Sequence, residues 1–574
     1  MPEINELKQA VRTFRGSLWT AGIMSFFINL CFMALPVYMI QLHQRAVPAQ
    51  SEHTLFALTA IALFIFAVMG GLQILRGRML VRVGNRLERA MDDRLFHAMF
   101  QKDLLQPGSG SSQPIGDLTQ LRQFLSGQGL TAIFDAPWAL ILVTLLFILS
   151  PWIGLLALVA TLTFIVLAVL NAYLTRDALR AANREANYSR DFLNHNLRNA
   201  PVVHALGMEP QIRHRWLRHH IAFLRQQTSA NDYGKLISDI TGPLRYIFII
   251  LGMGLTAYLI IAEGMFGAGM IFVTMIILRR ALGPIMHVIN AWPSFINTRM
   301  AYDRLQSLLS EIPAQTRRMS LPPPRGYIDV TNAVVIPPKA KLPILRGVNF
   351  SIAAGEAVGI IGPSAAGKTS LAHALLGIWP VRGGDIRLDG ADITHYNRDE
   401  LGPYLGYLPQ DIELFGGSVS ENIARYGKVD SRKVVTAAKL AGVHEMILHL
   451  PQGYDTPLGS GGLNLSPGQR QRIGLARAVY DDPVLVVLDE PNANLDDQGE
   501  IALQTAVTSL IERGTTLFLI SHRPGILRQM HKLIVLQDGQ MALFGPTEKV
   551  LAKLANNKEH NVLSLDQARL SLQT

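Results

Sequence analysis

The chain has 574 residues, of which 49% are hydrophobic and 17% charged, and a formal charge of +10. That length allows several domains, and the single cysteine, Cys31, excludes an intrachain disulfide and a multi-cysteine metal site. The basic residues lie between apolar runs and not on one aromatic-studded patch, which favours a membrane-facing cytoplasmic surface over a nucleic-acid-binding one.

The N-terminal stretch "MPEINELKQAVRTFRGSLWTAGIM" leads into an apolar run over about 18–42 with no small-residue cleavage site after it, so it reads as a retained anchor. A bilayer core takes roughly 20 apolar residues per helix, and six windows qualify: 18–42, 53–75, 130–150, 151–174, 241–262 and 265–289. "LSPWIG" joins the third and fourth in a tight outer turn, and "AEGMFGAG" joins the fifth and sixth. Arg76, Arg78, Arg82 and Arg86 follow the second span and Arg176, Arg180 and Arg184 the fourth, whereas the first outer loop, "HQRAVPAQSE", has one arginine. The positive-inside rule then places both long connectors and both chain ends in the cytoplasm.

Each connector is long enough to carry its helices beyond the bilayer, and each contains a break, "PGSGSSQPIGDL" and "HALGMEP". A short transverse segment is expected at each tip; a solvated loop is the plainer alternative. Arg279 and Arg280 fall midway along the sixth span, where a lipid-facing charge would cost at least about 2.5–3.5 kcal/mol. They are expected to line a polar transport path; the alternative is snorkelling to an interface. Asp135, nearer a span end, is explained by snorkelling or by helix capping beside Pro137.

The helical stretch "NTRMAYDRLQSLLSEIPA" closes a membrane domain over 1–314, and a proline-rich linker spans 315–325. A nucleotide-binding α/β domain follows over 326–555, then a polar tail over 556–574 with at most a short helix. "EAVGIIG" is a buried-strand run, "PSAAGKTS" a turn and "LAHALLGIW" a helix, the context that G-x-x-x-x-G-K-[ST] requires. Gly362, Pro363, Ser364, Ala365, Ala366, Gly367, Lys368, Thr369 and Ser370 form the phosphate cradle. Lys368 reaches the β- and γ-phosphates and Thr369 offers a hydroxyl to magnesium. "PVLVVLDEP" ends a strand in two carboxylates, Asp489 for the metal and Glu490 to orient or deprotonate the attacking water.

"LNLSPGQRQRIGLARAV" carries L-S-x-G-Q and resembles the signature of ATP-binding cassette (ABC) proteins, normally L-S-G-G-Q. In that family the signature of one subunit closes over the γ-phosphate held by the other, which implies two cassettes, and with Glu490 and Lys368 both present a homodimer would have two intact sites. Ser466, Gly468 and Gln469 are the matching positions, with Pro467 at the helix's first turn, where a missing N–H costs little. The resemblance further implies Gln410 in "GYLPQD" as the Q-loop glutamine at the metal site, Asp496 in "NANLDD" as the D-loop aspartate and His522 in "LISHRP" as the switch histidine. Where the family stacks an aromatic on adenine, this chain offers Ile336 or Pro337, so looser base selectivity is expected.

The whole arrangement resembles an ABC exporter, a six-helix all-α membrane domain followed by an α/β P-loop ATPase, with "IGDL" and "HALGMEP" as its coupling segments. "DAPWALILVTLLFILSPWIGLLALVA" and "LRNAPVVHALGM" are similar to the type I secretion branch, in particular its protease-secretion ATPases. About 17 residues precede the first span, so the peptidase-like domain of some relatives is not expected. The resemblance implies ATP and Mg2+ as cofactors and a homodimer in a bacterial inner membrane, working with a periplasmic adaptor and an outer-membrane duct. The implied cargo is an unfolded RTX-type metalloprotease or lipase with a C-terminal signal. An ABC exporter of lipids, drugs or other small amphiphiles is the alternative, and a non-transporting ATP-regulated receptor a more distant one.

Overall fold

The computed structural model describes residues 6–108, 110–197, 199–264, 267–314, 320–338, 340–459 and 465–555. The tail over 556–574, part of the linker (315–319) and part of the fifth-to-sixth-span turn (265 and 266) lie outside the described residues. The chain divides into two compact units: Met1–Gln101 with Gly110–Ala314, and Lys102–Ser109 with Gln315–Thr574.

The first unit is helical: α1 (Glu6–Thr13), α2 (Arg15–Phe32), α3 (Ala34–Gln41), α4 (Glu52–Leu105), α5 (Gln113–Ser126), α6 (Gln128–Asp135), α7 (Pro137–Leu149), α8 (Pro151–Leu197), α9 (Ala200–Ala205), α10 (Glu209–Glu263) and α11 (Gly269–Glu311). Six stretches among the described residues are long and apolar enough to cross a membrane: Arg15–Ala46, Glu52–Leu105, Gln113–Leu149, Pro151–Leu197, Glu209–Ala262 and Gly269–Glu311. Pro137 and Pro151 open α7 and α8, where the missing N–H is one the helix leaves unpaired anyway. Only Ser150, extended at φ −159°, separates the two helices. α4 and α10, of 54 and 55 residues, reach about 80 Å and exceed the roughly 30 Å hydrocarbon core. Phe56, Leu63 and Phe64 of α4 are exposed, as expected of a lipid-facing surface.

Two large cores and a small one around Leu179, Ala230 and Ile296 organise this unit. Leu142, Leu146, Ile153, Phe164, Ile249, Val273, Ile277 and Leu282 pack the apolar spans together. Leu7, Leu87, Met91, Leu95, Leu118, Leu121, Leu305 and Leu308 join α1, α4, α5 and α11. Charge closes the second core: Arg304 donates to both carboxylate oxygens of Asp117 at 2.8 and 2.6 Å. Arg94 grips Glu6 at 2.8 Å and also donates to the Ile312 carbonyl at the end of α11. "IGDL" therefore lies inside α5, and "HALGMEP" runs from α9 through Gly207, whose φ of +62° suits a residue without Cβ, into α10.

The second unit has two main sheets. Strands β1 (Ile328–Val335), β2 (Leu345–Ile352), β4 (Val381–Leu388) and β5 (Ala391–Asp392) form an antiparallel sheet in the order β2-β1-β4-β5. Strands β3 (Ala357–Ile361), β6 (Leu405–Leu408), β9 (Leu485–Asp489), β10 (Thr516–Ile520), β11 (Lys532–Gln537) and β12 (Gln540–Pro546) form the other, in the order β12-β11-β3-β10-β9-β6. Every pairing there is parallel except that of β11 with β12. β7 (Gly417–Ser418) and β8 (Pro457–Leu458) make a small third pair. The helices are α12 (Lys368–Leu375), α13 (Arg398–Leu401), α14 (Val419–Ile423), α15 (Ser431–Leu440), α16 (His444–Leu448), α17 (Pro467–Ala478), α18 (Asp497–Glu512) and α19 (Pro524–Leu527). All five residues of β9 and of β10 are buried, the continuous apolar pattern of strands covered on both faces.

Candidate ATP site

Four parallel strands, β3, β6, β9 and β10, end at one edge of the sheet, and the residues just beyond them form the site, as expected for a parallel α/β sheet. After β3 the chain wraps through 362–367 into α12. A Cβ on Gly362 would collide with the Leu536 carbonyl, and Gly367, at φ +98°, leaves 2.7 Å between an added Cβ and Leu345 Cδ2. Ala365 also takes a left-handed backbone, φ +64°. Pro363, Ser364 and Ala365 are exposed, whereas Ala366, Lys368 and Ser370 are buried. The loop thus presents its backbone outward at the N-terminus of α12, an arrangement suited to an anion.

Lys368 Nζ donates to the carbonyls of Gly362 (2.7 Å) and Pro363 (3.2 Å) and is 3.0 Å from His522 Nε2. His522 stands beyond β10 with Nε2 3.7 Å from Glu490 Oε1. From beyond β6, Gln410 Nε2 donates to Glu490 Oε2 at 3.2 Å. Lys368, His522, Glu490 and Gln410 are therefore linked side chain to side chain. Glu490 itself sits at φ +47°, a conformation that costs a non-glycine residue about 1–2 kcal/mol. Its N–H is held by the Ile520 carbonyl at 3.0 Å, which fixes the carboxylate at the strand ends.

Asp489, the last residue of β9, is 1% exposed, and neither carboxylate oxygen has a hydrogen-bond partner among the described residues. Burial pushes its carboxyl above the ordinary range; the facing Thr369 hydroxyl opposes this, Glu490 adds to it and the Lys368 ammonium opposes it. A buried carboxylate without a donor, beside a hydroxyl, suits a small hard cation. One carboxylate and one hydroxyl are the kind of protein contribution magnesium takes, the rest of its shell coming from phosphate and water.

The signature residues serve a nearby turn. Ser466 caps α17 in a capping box: its Oγ accepts from the Gln469 N–H at 3.2 Å, and Gln469 Oε1 accepts from the Ser466 N–H at 2.9 Å. Pro467 takes the first helical position. A Cβ on Gly468 would lie 2.7 Å from the Asn494 carbonyl. Asp496 caps α18, accepting from the Gly499 N–H at 2.8 Å. Sequence reasoning missed Gln471, which is 1% exposed and donates to the carbonyls of Pro491 (2.6 Å) and Glu490 (3.4 Å). A buried glutamine two residues after Gln469 was its only signal. Ile336 and Pro337 follow β1, half-buried.

In the membrane unit, Arg280 lies within a polar knot. Its Nη2 donates to Asn29 Oδ1 at 2.5 Å, and its guanidinium covers the Phe32 ring at 4.8 Å. Asn29 donates to Asp135 at 3.0 Å, and Arg76 to Ser25 at 2.6 Å and to Asp135 at 3.3 Å. Asp135 is thus an interhelical ion-pair partner, which neither snorkelling nor capping describes, while Arg279 is exposed.

Comparison with known proteins agrees with this architecture. Residues 18–282 match the ABC transporter transmembrane region and residues 345–493 the ABC transporter family. The type I secretion system ATP-binding protein PrsD of Rhizobium meliloti is 37% identical over 95% of this chain and 94% of that protein. The cyclolysin secretion/processing ATP-binding protein CyaB of Bordetella pertussis is 29% identical over 76% of this chain and 62% of its own length. The structure of a bacterial Atm1-family ABC exporter with ATP bound superposes with a TM-score of 0.78 at 21% identity, covering 94% of this chain and 96% of that one, a likeness of fold. ATP binding, hydrolysis coupled to transport and ATP-driven export follow, and the chain belongs to the ABC exporters of type I secretion systems.

Proposed function

We propose that this exporter carries an unfolded protein across a bacterial inner membrane, as a homodimer working with a periplasmic adaptor and an outer-membrane duct. The observation that carries the reading is the convergence of Lys368, Gln410, Asp489, Glu490 and His522 at one edge of the parallel sheet, with the hydrolytic carboxylate intact. The names of CyaB and of the leukotoxin translocation protein LktB of Mannheimia haemolytica, 25% identical over 94% of this chain, support a protein cargo. An RTX-type metalloprotease or lipase with a C-terminal signal is the cargo we assign. The membrane domain runs over 1–314, and the cassette, over 326–555, faces the cytoplasm, where the arginine-rich connectors belong.

The backbone of 362–370 receives the phosphates, and Lys368 turns from the loop carbonyls to the β- and γ-phosphoryl oxygens. Thr369, Asp489 and Gln410 would hold Mg2+. When bound, that ion neutralises charge on the β- and γ-oxygens. Glu490 orients the attacking water and takes its proton, and His522 faces the γ-phosphate. Ser466, Gly468, Gln469 and Asp496 of a second copy complete each site. Arg279 and Arg280 serve the transport path, Arg280 as its anchor to α2.

The test is secretion of a C-terminal RTX-protease fragment from cells carrying the exporter, with and without adaptor and duct, with Glu490→Gln as the inactive control. Export that needs all three components and Glu490 supports the reading. No export, beside ATPase stimulated by lipid or drug, would replace it with small-amphiphile export.

A further inference from the structure

His373, within "LAHALLGIW", and Tyr407, within "GYLPQD", form a polar pair to which no role has been given above. His373 is in the last turn of α12, and Tyr407 is in β6, three residues before Gln410. His373 Nε2 lies 3.0 Å from Tyr407 Oη, and the imidazole stands edge-on to Trp379, centroids 4.6 Å apart. His373 Nδ1 is buried with no partner among the described residues, so the hydrogen bond to Tyr407 is the pair's main polar contact.

Register places this pair beside the metal carboxylate. β6 and β9 are parallel, with Tyr407 opposite Val487. Side chains alternate along a strand, so Asp489, two residues after Val487, shares the face of Tyr407, one diagonal step away. Leu371 and Leu375 of α12 pack in one apolar cluster with Val487 and Tyr407 on that face. Thr369 and His373 are four residues apart on α12 and hence on one side of the helix. One helix face therefore meets Asp489 through Thr369 and Tyr407 through His373.

We propose that Tyr407, held by His373, is a positioning residue for the divalent-cation site: their hydrogen bond ties α12 to β6 one helical turn after Thr369 and so fixes the Thr369 hydroxyl against Asp489. The bond between His373 Nε2 and Tyr407 Oη acts through the helix and needs no contact from the phenol to Asp489, whose oxygens have no partner among the described residues. This rests on Asp489 and Thr369 being the metal ligands.

The experiment is Mn2+ titration of the full-length protein with a non-hydrolysable ATP analogue, followed by electron paramagnetic resonance. Tyr407→Phe keeps the ring and should weaken Mn2+ binding about 10-fold or more, with metal-free nucleotide affinity within about twofold of the parent. His373→Leu should match it and add little in the Tyr407→Phe background, whereas His373→Gln, which retains a donor, should recover most of the affinity. Unchanged Mn2+ affinity in Tyr407→Phe overturns the proposal. So does a parallel loss of metal-free nucleotide binding, which would mark a packing role. Asp489→Asn separates the two layers: if it binds Mn2+ like the parent, the metal-site assignment itself fails; if it loses Mn2+ and Tyr407→Phe does not, only the positioning role fails.

Discussion

Glu490 is held by its surroundings more than by its own preferences: a left-handed backbone, a hydrogen bond to Ile520, and contacts from Gln410 and His522. Glu490→Gln keeps that shape and removes the base. It should bind ATP normally while turnover falls about 10²-fold or more, read by nucleotide binding and phosphate release on the same sample; near-normal hydrolysis would refute the role. Much of this site was legible because its motifs are local, each a strand followed by a turn of fixed residue types. Asp135 was not legible. Its partners Asn29 and Arg76 belong to helices more than 50 positions away, and no periodicity within one span encodes a contact between spans. Arg279 and Arg280 are adjacent in sequence yet differ in setting, one exposed and one tied to Asn29 and Phe32. Arg280→Gln should lower the thermal stability of the solubilised protein as well as export, whereas Arg279→Gln should lower export alone. Normal secretion by Arg279→Gln would remove it from the transport path.

At the scale of elements, the cassette's helices are fixed at their ends. Ser466→Ala should cost about 1 kcal/mol through loss of the α17 capping box, seen as a lower unfolding midpoint. Arg425, which follows α14 in a left-handed conformation, donates to the carbonyls of Gly402, Leu405, Arg477, Ala478 and Tyr480. It joins β6, the segment before it and the end of α17. Replacing it with methionine should destabilise the cassette by at least about 3 kcal/mol, because several carbonyls lose a charged donor together; an unchanged midpoint would contradict this. Pro467 at the first turn of α17 was readable from sequence, since a cap before proline is a local rule. The clamp by Arg425 was not, because its acceptors are backbone atoms and carry no sequence signature.

At the scale of the whole molecule, the six spans were legible from the length of their apolar runs, and the extension of their helices beyond those runs from the connectors between them. Less visible was how charge secures the ends: Asp117 with Arg304, and Arg94 with Glu6 and the end of α11. Arg304→Ala leaves the buried Asp117 without its bidentate partner, and should reduce export more than basal ATPase; secretion and phosphate release, measured side by side, check it. Export and ATPase falling in equal proportion would count against that role. The 54- and 55-residue helices α4 and α10 have a further mechanical meaning. A rod about 80 Å long is a lever, so a tilt of about 5° at one end sweeps the other through about 7 Å. Proline inside α10, Pro243, places a compliant joint along one of these rods, and the Gly70-Gly71 pair places one along α4. Each long helix thus carries a point of lower stiffness, and part of a displacement at one end is absorbed there as bending before it reaches the other.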